Sequence, residues 1–323
     1  MQTLRFADSG TAARYPLPVA GAADWQVLES TCQVVLELPL LGPGTIVVPS
    51  LTFATTDPTP ARPDAAPLRH VWTLACGEEL WQLQEVPSRG SIPPTAGGAR
   101  SPGKAVSTHL DCFHIHQPLR AARLTVRLEG RHPPQRYLLC ASFRALTVAV
   151  PPLPQDHRGL ALAPRPRSQL TAPADMAQRI CSPTCVSMIL DLWQRPHDWL
   201  ALAAECHDPA TDLYGIWPLA LAAAARRDCL GAVEVFADWQ APLQVLGAGV
   251  PLVTSIRFDH GELPGAPIAE TGGHLVVVHG ADRQWIRVCD PAAPALEVNR
   301  RYPAEAFSQA WLRHRGAAYI LPA

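Results

Sequence analysis

Charge is scarce in this sequence and long apolar runs are missing, and both features restrict what the chain can be. Only 17% of its 323 residues are charged, and the formal net charge is −1. The chain therefore lacks the basic field that binds nucleic acid, and it has no acidic tail. No run of about 18 apolar residues exists, so no membrane span is predicted. The first residues show no basic segment followed by an apolar one, so we expect no signal peptide and a cytoplasmic protein.

The common motifs of nucleotide- and metal-dependent enzymes are missing as well. The sequence contains no GxGxxG, no GxxxxGK[ST] and no HExxH. Its nine cysteines are scattered along the chain: Cys32, Cys76, Cys112, Cys140, Cys181, Cys185, Cys206, Cys229 and Cys289. Without an export signal these thiols are expected to stay reduced, and most of them to be small buried apolar residues. We therefore expect no cofactor and no metal.

The two halves of the chain differ in pattern. Residues 20–150 hold short runs rich in Val, Leu, Thr and aromatic residues between Pro/Gly turns, which is typical of an antiparallel β-sandwich; residues 88–104 form a long turn-rich loop. Residues 151–168 are Pro-rich and predict an extended linker. From residue 169 to 323, helical patterns come first and strands later, without βαβ alternation. The predicted fold class is α+β: a sandwich domain over 1–150 and an α+β domain over 169–323.

The stretch RICSPTCVSMILDLW, residues 179–193, predicts a helix with a cysteine at its start. Pro183 fits only the first turn, so the helix begins at about residue 181 to 183. Cys181 then lies at the helix N-terminus, where free N–H groups and the helix dipole favour a thiolate. Cys185 lies one turn inside, beside the apolar stripe, which consists of Val186, Ile189, Leu190 and Trp193.

Several interpretations of these two cysteines remain open from the residues alone. A zinc site would need two further ligands at suitable spacing, and His197 and His207 each stand alone. A disulfide within one helical turn has poor geometry. A cysteine at a helix start is most often structural, so Cys181 stays open between a nucleophile and a structural thiol.

A cysteine nucleophile needs a histidine and a group that orients it. In GGHLVVVHGADRQWIRVCDP, a hairpin centred near residue 282 would place His274 almost opposite Asp290, within reach of a hydrogen bond. His279 is the competitor, but it would point to the opposite face and lie near Ile286. Asp290 precedes a proline, so a plain Asp-Pro turn is the alternative reading of that residue.

Acyl transfer also needs donors for an oxyanion, and two glutamines precede Cys181. These are Gln169, in RSQL, and Gln178, in MAQRI. The backbone N–H of Cys181 would supply a second donor. The residues alone do not choose between the two glutamines.

Several segments, in order, resemble the C39-like peptidase family, a papain-like group of cysteine peptidases. They are SQL…ICSPTCVSMILDLW, YGIWPLALAAAA, APLQVLGAGVPLVTSIRFDHGELPGAPI, GGHLVVVHGAD…IRVCDPAA and RRYPAEAFSQAWLRHRGAAYILP, and they span about residues 165–323. The resemblance implies that Cys181 is the nucleophile, His274 the general base and acid, and Asp290 its orienting group. It also favours Gln169 over Gln178 as the oxyanion-hole donor.

The resemblance implies a cysteine peptidase that cleaves a peptide or amide bond through a thioester, with a peptide or protein as substrate. The N-terminal half resembles the β-rich region that precedes such domains in bacterial relatives, and it is a candidate substrate-binding domain. The alternatives are a papain-like amidase or acyl transferase, or a peptide-binding protein without turnover. The chain departs from its relatives at Cys185, Ile216 and Cys289. No nucleic acid or membrane partner is expected.

Overall fold

In a computed structural model of the chain, the described residues are 2–54, 69–86, 104–154 and 159–323. Within these ranges the protein is a mixed α and β structure, rich in sheet, with six α-helices and three sheets of antiparallel strands. The loop predicted over residues 88–104 lies outside the described residues except at Lys104.

The N-terminal half contains two five-stranded sheets, ordered β1-β10-β4-β8-β7 and β2-β3-β9-β5-β6. One apolar cluster draws on both sheets, for example through Val47 and Leu139 of the first and Trp72 and Leu124 of the second. The elements are β1 (Gln2–Ala7), α1 (Ser9–Arg14), β2 (Gln26–Val27), β3 (Thr31–Glu37), β4 (Thr45–Phe53), β5 (His70–Cys76), β6 (Glu79–Gln82), β7 (Val106–Thr108), β8 (Phe113–Ile115), β9 (Arg123–Glu129) and β10 (Tyr137–Ala145).

The C-terminal half is built on one seven-stranded sheet with helices on both faces. Its strands run in the order β12-β17-β13-β14-β15-β16, and β11 pairs with the end of β14. The elements are β11 (Gly159–Leu160), a short 3₁₀ helix (Gln169–Thr171), α2 (Cys181–Leu192), α3 (Trp199–Glu205), α4 (Trp217–Ala225), β12 (Ala232–Val235), α5 (Gln240–Gly247), β13 (Leu252–Phe258), β14 (Thr271–Ala281), β15 (Trp285–Cys289), β16 (Asn299–Pro303), α6 (Ala304–Leu312) and β17 (Ala317–Ile320).

Strand β14 lies at the centre of this half and contributes to both of its cores. Val276 and Val278 pack in the cluster that includes α5 and α6, while Leu275 and Val277 pack in the cluster that includes α2. Alternate residues of a strand point to opposite faces of the sheet, so a strand buried on both faces is apolar throughout. The predicted helix at residue 181 therefore packs against the same strand that carries His274.

The two halves are joined at β12, which has β17 on one side. On its other side, hydroxyl groups of β4 and β10 satisfy its backbone: Ser50 accepts from the Val233 N–H at 3.2 Å, and Ser142 accepts from the Val235 N–H at 2.9 Å. Covering an edge strand in this way removes a row of unpaired backbone groups. Glu234 of β12 also forms a buried ion pair with Arg5 of β1.

Residues 151–168, predicted as a linker, contact the C-terminal half at several described points. Strand β11 pairs with Gly280 and Ala281 of β14. A Cβ added at Gly159 would approach Leu243 and Leu246 of α5 to 2.9 Å, so the backbone passes close against that helix. Leu153 is buried in the same core. This segment therefore contributes both a strand and a core side chain.

Candidate active site

Cys181 is the first residue of α2, as the position of Pro183 predicted. Ile180, the residue before it, makes no side-chain hydrogen bond to the helix, so no side chain caps its first N–H groups. The Cys181 side chain is partly exposed. Desolvation raises the pKa of its thiol. The net shift is nevertheless downward, because the thiolate is stabilised by the hydrogen bond and charge of His274 and by the N–H groups of Leu275 and Ser182.

Cys185 lies one helical turn below and has the opposite environment. It is fully buried among apolar side chains, which confirms its prediction as a core residue. Its sulfur donates to the carbonyl oxygen of Leu275 at 3.3 Å. Burial and the neighbouring charges raise the pKa of this thiol well above its usual value, so it remains protonated.

His274 joins Cys181 to Asp290. Its Nε2 bonds Asp290 Oδ1 at 2.8 Å, which leaves Nδ1 for the Cys181 sulfur. Both side chains are buried, with exposures of 4% for His274 and 1% for Asp290. Burial alone would lower the pKa of His274, but the charge and hydrogen bond of Asp290 and the contact with Cys181 raise it to about 10. The raised pKa favours an imidazolium, which lies between the Asp290 carboxylate and the Cys181 sulfur.

Asp290 is held by two further donors. The Ala292 N–H donates to Oδ1 at 2.9 Å, and the Tyr302 hydroxyl donates to Oδ2 at 2.5 Å. Burial raises the pKa of the Asp290 carboxyl, but the charge of His274 and these hydrogen bonds outweigh it and lower that pKa. Sequence reasoning missed Tyr302, because nothing in the sequence pattern shows which residue of β16 faces Asp290.

The predicted contact between His274 and Asp290 is present, and the two positions are two residues out of exact register. Val277 pairs with Cys289, so the position opposite Asp290 is Val276 and not His274. His274 reaches Asp290 along the diagonal, a separation that long polar side chains can span. The pairing also shifts between Val278 and Gly280. His279 lies at that irregularity, and its imidazole is near Asn299 of β16, whereas His274 is the histidine that contacts Cys181.

The two candidate glutamines have different surroundings. Gln178 is exposed. Gln169 is only 3% exposed, and its N–H donates to the carbonyl oxygen of Pro291 at 2.8 Å, directly after Asp290. Its side-chain Oε1 is buried and has no hydrogen-bond partner among the described residues. The backbone of Gln169 is thus attached to the turn that carries Asp290, while the structure describes no contact between its amide and Cys181.

Other kinds of site were also sought in the described part of the chain. No group of three or more His, Cys, Asp or Glu side chains there has the arrangement of a metal site. None of the helices in the same ranges is long and apolar enough to cross a bilayer.

The fold and the contacts together describe a mixed α and β protein. In it, a cysteine at a helix N-terminus contacts a histidine, and the histidine contacts a carboxylate. Residues 161–319 match the model of the Peptidase_C39 like family, and this part of the chain belongs to that family.

Two solved structures are similar to the chain. One is described as a C39-like peptidase from Bacillus anthracis; it is 19% identical with a TM-score of 0.40, and the match covers 52% of this chain and 98% of that one. The other is a double glycine motif protease from an AMS/PCAT transporter in complex with the leader peptide; it is 13% identical with a TM-score of 0.35, and the match covers 51% of this chain and 99% of that one. A comparison with curated proteins finds no match.

Proposed function

We propose that the chain is a cysteine peptidase that hydrolyses a peptide or amide bond through Cys181, His274 and Asp290. The observation that carries this proposal is the unbroken set of contacts from the Cys181 sulfur through His274 to Asp290. A lowered pKa for the thiol and a raised pKa for the imidazole are what a nucleophilic thiolate–imidazolium pair requires. Membership of residues 161–319 in the C39-like family supports the same reaction class.

In the proposed reaction, the Cys181 thiolate attacks the carbonyl carbon of the scissile bond. His274 Nδ1 then gives its proton to the leaving amine as the tetrahedral intermediate collapses to a thioester. A water molecule, deprotonated by the now neutral His274, attacks the thioester and releases the acid product. Asp290 keeps the imidazole in orientation and compensates its positive charge.

The oxyanion is proposed to accept hydrogen bonds from the Cys181 N–H and the Gln169 side-chain amide. The first donor is free of any side-chain cap, because Ile180 provides none. The second is favoured by burial and by the bond from the Gln169 N–H to Pro291, which attaches this residue to the Asp290 turn. Donors that are fixed before reaction stabilise charge without a cost of reorganisation.

For the whole chain we propose a sandwich-like domain over 1–150 that contributes to substrate binding, a connecting segment over 151–168 and a peptidase domain over 169–323. The two N-terminal sheets with their shared apolar cluster support the first part. The family match, which begins at residue 161, supports the last. A peptide or protein is the substrate that this assignment implies.

The proposal is tested by labelling with a thiol-reactive peptide probe and by hydrolysis of fluorogenic peptide amides. Cys181→Ala should abolish both signals, while Cys185→Ala, the matched removal of a thiol one turn along the same helix, should retain both. Labelling that survives in Cys181→Ala and vanishes in Cys185→Ala would overturn the assignment. A thioester that forms and is released by an added amine but not by water would instead identify an acyl transferase.

A further inference from the structure

Tyr302 is a buried tyrosine whose hydroxyl is directed at a buried carboxylate. It lies on β16, where it pairs with Ile286 of β15, and its ring stacks on Phe307 of α6 with a centroid separation of 6.1 Å. Its side chain is fully buried. The hydroxyl bond to Asp290 Oδ2, at 2.5 Å, lies within the range for an O–H donor to a charged oxygen, which is shorter than that for a neutral pair. The ring packing therefore determines where this donor lies.

The donors around Asp290 are divided between its two oxygens. Oδ1 accepts from His274 and from the Ala292 N–H, whereas Tyr302 supplies the hydrogen bond to Oδ2. Without the Tyr302 hydroxyl, Oδ2 would be a buried charged oxygen with no such donor, which is costly. The carboxylate would then turn toward another donor or take up a proton. Either response weakens the charge that Asp290 presents to His274.

We propose that Tyr302 is a positioning residue of the candidate site, which holds the Asp290 carboxylate in the orientation that keeps His274 protonated. This inference rests on the proposed function, because it concerns the same three side chains. Tyr302 does not touch the Cys181 sulfur, so its effect passes through Asp290.

Other charged and titratable groups surround this contact and must be taken into account. They come from α2, β14, β15 and β16, and they are Cys181, Cys185, His274, Cys289 and Arg300. Cys185 and Cys289 have raised pKa values and stay neutral across the working range. Arg300 also faces Tyr302, but it is bonded to Glu297 and to the Gly265 carbonyl oxygen. His274 is therefore the group whose titration reports on Asp290.

The test is the pH dependence of Cys181 alkylation by iodoacetate in the full chain, followed by mass spectrometry of the peptide that contains Cys181. Iodoacetate is an anion, so its reaction is fastest while a thiolate and an imidazolium lie side by side. The plot of alkylation rate against pH should rise as the thiolate forms and fall as His274 loses its proton. The pH range of this fall is called the falling edge below. In Tyr302→Phe the falling edge should move to lower pH by about one unit, since a hydrogen bond to a charged group is being removed.

Tyr15→Phe is the matched control. Tyr15 is also buried and also donates its hydroxyl to a buried carboxylate, Glu234 Oε1, at 2.8 Å, but at the junction of the two halves. Both variants should lower the melting temperature, and only Tyr302→Phe should move the falling edge. In an Asp290→Asn background the additional change Tyr302→Phe should have no further effect on that edge.

The outcomes separate this inference from the proposed function. An unchanged edge in Tyr302→Phe, an edge that moves to higher pH, or an equal movement in Tyr15→Phe would overturn the positioning role. Persistence of the shift in the Asp290→Asn background would overturn it too, because the hydroxyl would then act by another route. A wild-type protein in which Cys181 is alkylated no faster than an ordinary thiol would overturn the proposed function itself.

Discussion

Arg5 and Glu234 form an ion pair across the junction of the two halves, and its removal should be costly. The pair is bidentate, with Arg5 Nε to Glu234 Oε1 and Arg5 Nη2 to Oε2 both at 2.6 Å. The Glu234 side chain is fully buried and that of Arg5 is 11% exposed. Arg5→Met keeps an unbranched apolar side chain in place of the arginine stem and removes its charge. Glu234 would then keep the Tyr15 hydroxyl but lose its cation.

The expected loss follows from the burial of the remaining charge. Removing one partner of a buried ion pair typically costs about 3–5 kcal/mol, because the other charge is left uncompensated. A folded domain is stable by only about 5–15 kcal/mol, so this change alone should remove a large part of the free energy of unfolding. Adding Glu234→Gln should recover much of that loss, because a neutral amide still accepts from Tyr15 and leaves no buried charge.

Equilibrium unfolding in urea at neutral pH measures this loss as a shift of the midpoint at constant slope. Arg69→Met is the control, since Arg69 makes an exposed pair with Glu129 at 3.2 Å and such pairs contribute little. The reasoning would be refuted if Arg5→Met were no more destabilising than Arg69→Met. It would also be refuted if the double change Arg5→Met, Glu234→Gln were no more stable than Arg5→Met.

Three further changes test the site and its surroundings. Asp290→Asn removes the charge that raises the pKa of His274 to about 10, so the imidazolium should lose its proton at a lower pH. The falling edge of iodoacetate alkylation should therefore move toward neutral pH, and an unmoved edge would contradict this. A Cβ at Gly273 would meet no atom within 4 Å, so Gly273→Val should leave the melting temperature unchanged, and a clear fall in that temperature would contradict this. Asp198 is the N-cap residue of α3 and accepts from the Ala201 N–H at 2.7 Å, so Asp198→Ala should cost about 1 kcal/mol in urea unfolding; no measurable loss would contradict that role.

Local patterns predicted the parts of the site that depend on local structure. The start of α2 follows from Pro183, which fits only a first turn, and from the apolar stripe that begins with Val186. The different positions of Cys181 and Cys185 follow from that start. These features depend only on residues within about two helical turns of one another, and so they can be predicted from the local sequence.

The parts that were not predicted depend on how distant elements fit together. The irregularity near His279 changes the strand pairing by one residue, and no turn signal in the hairpin indicates it. Helix α6 was not predicted either, although Phe307, Ala310 and Trp311 have helical spacing and are all buried. Tyr302 reaches Asp290 only because β16 pairs with β15. Each of these features depends on how the strands pair in the folded sheet, so the local sequence does not predict it.

The distinction between the two cysteines of α2 illustrates why local pattern and tertiary pairing are both needed. Strand β15 pairs with β14 from Val277 onward, so Leu275 keeps its N–H and C=O on that side free of strand pairing. The N–H bonds the Cys181 sulfur, and the carbonyl oxygen accepts from the Cys185 sulfur. The donor adds to the hydrogen bond and charge of His274 in lowering the pKa of Cys181, whereas burial and neighbouring charges raise the pKa of Cys185. The helix alone presents two sulfurs one turn apart; β14 carries His274 to only one of them, and the pKa of that thiol alone is lowered.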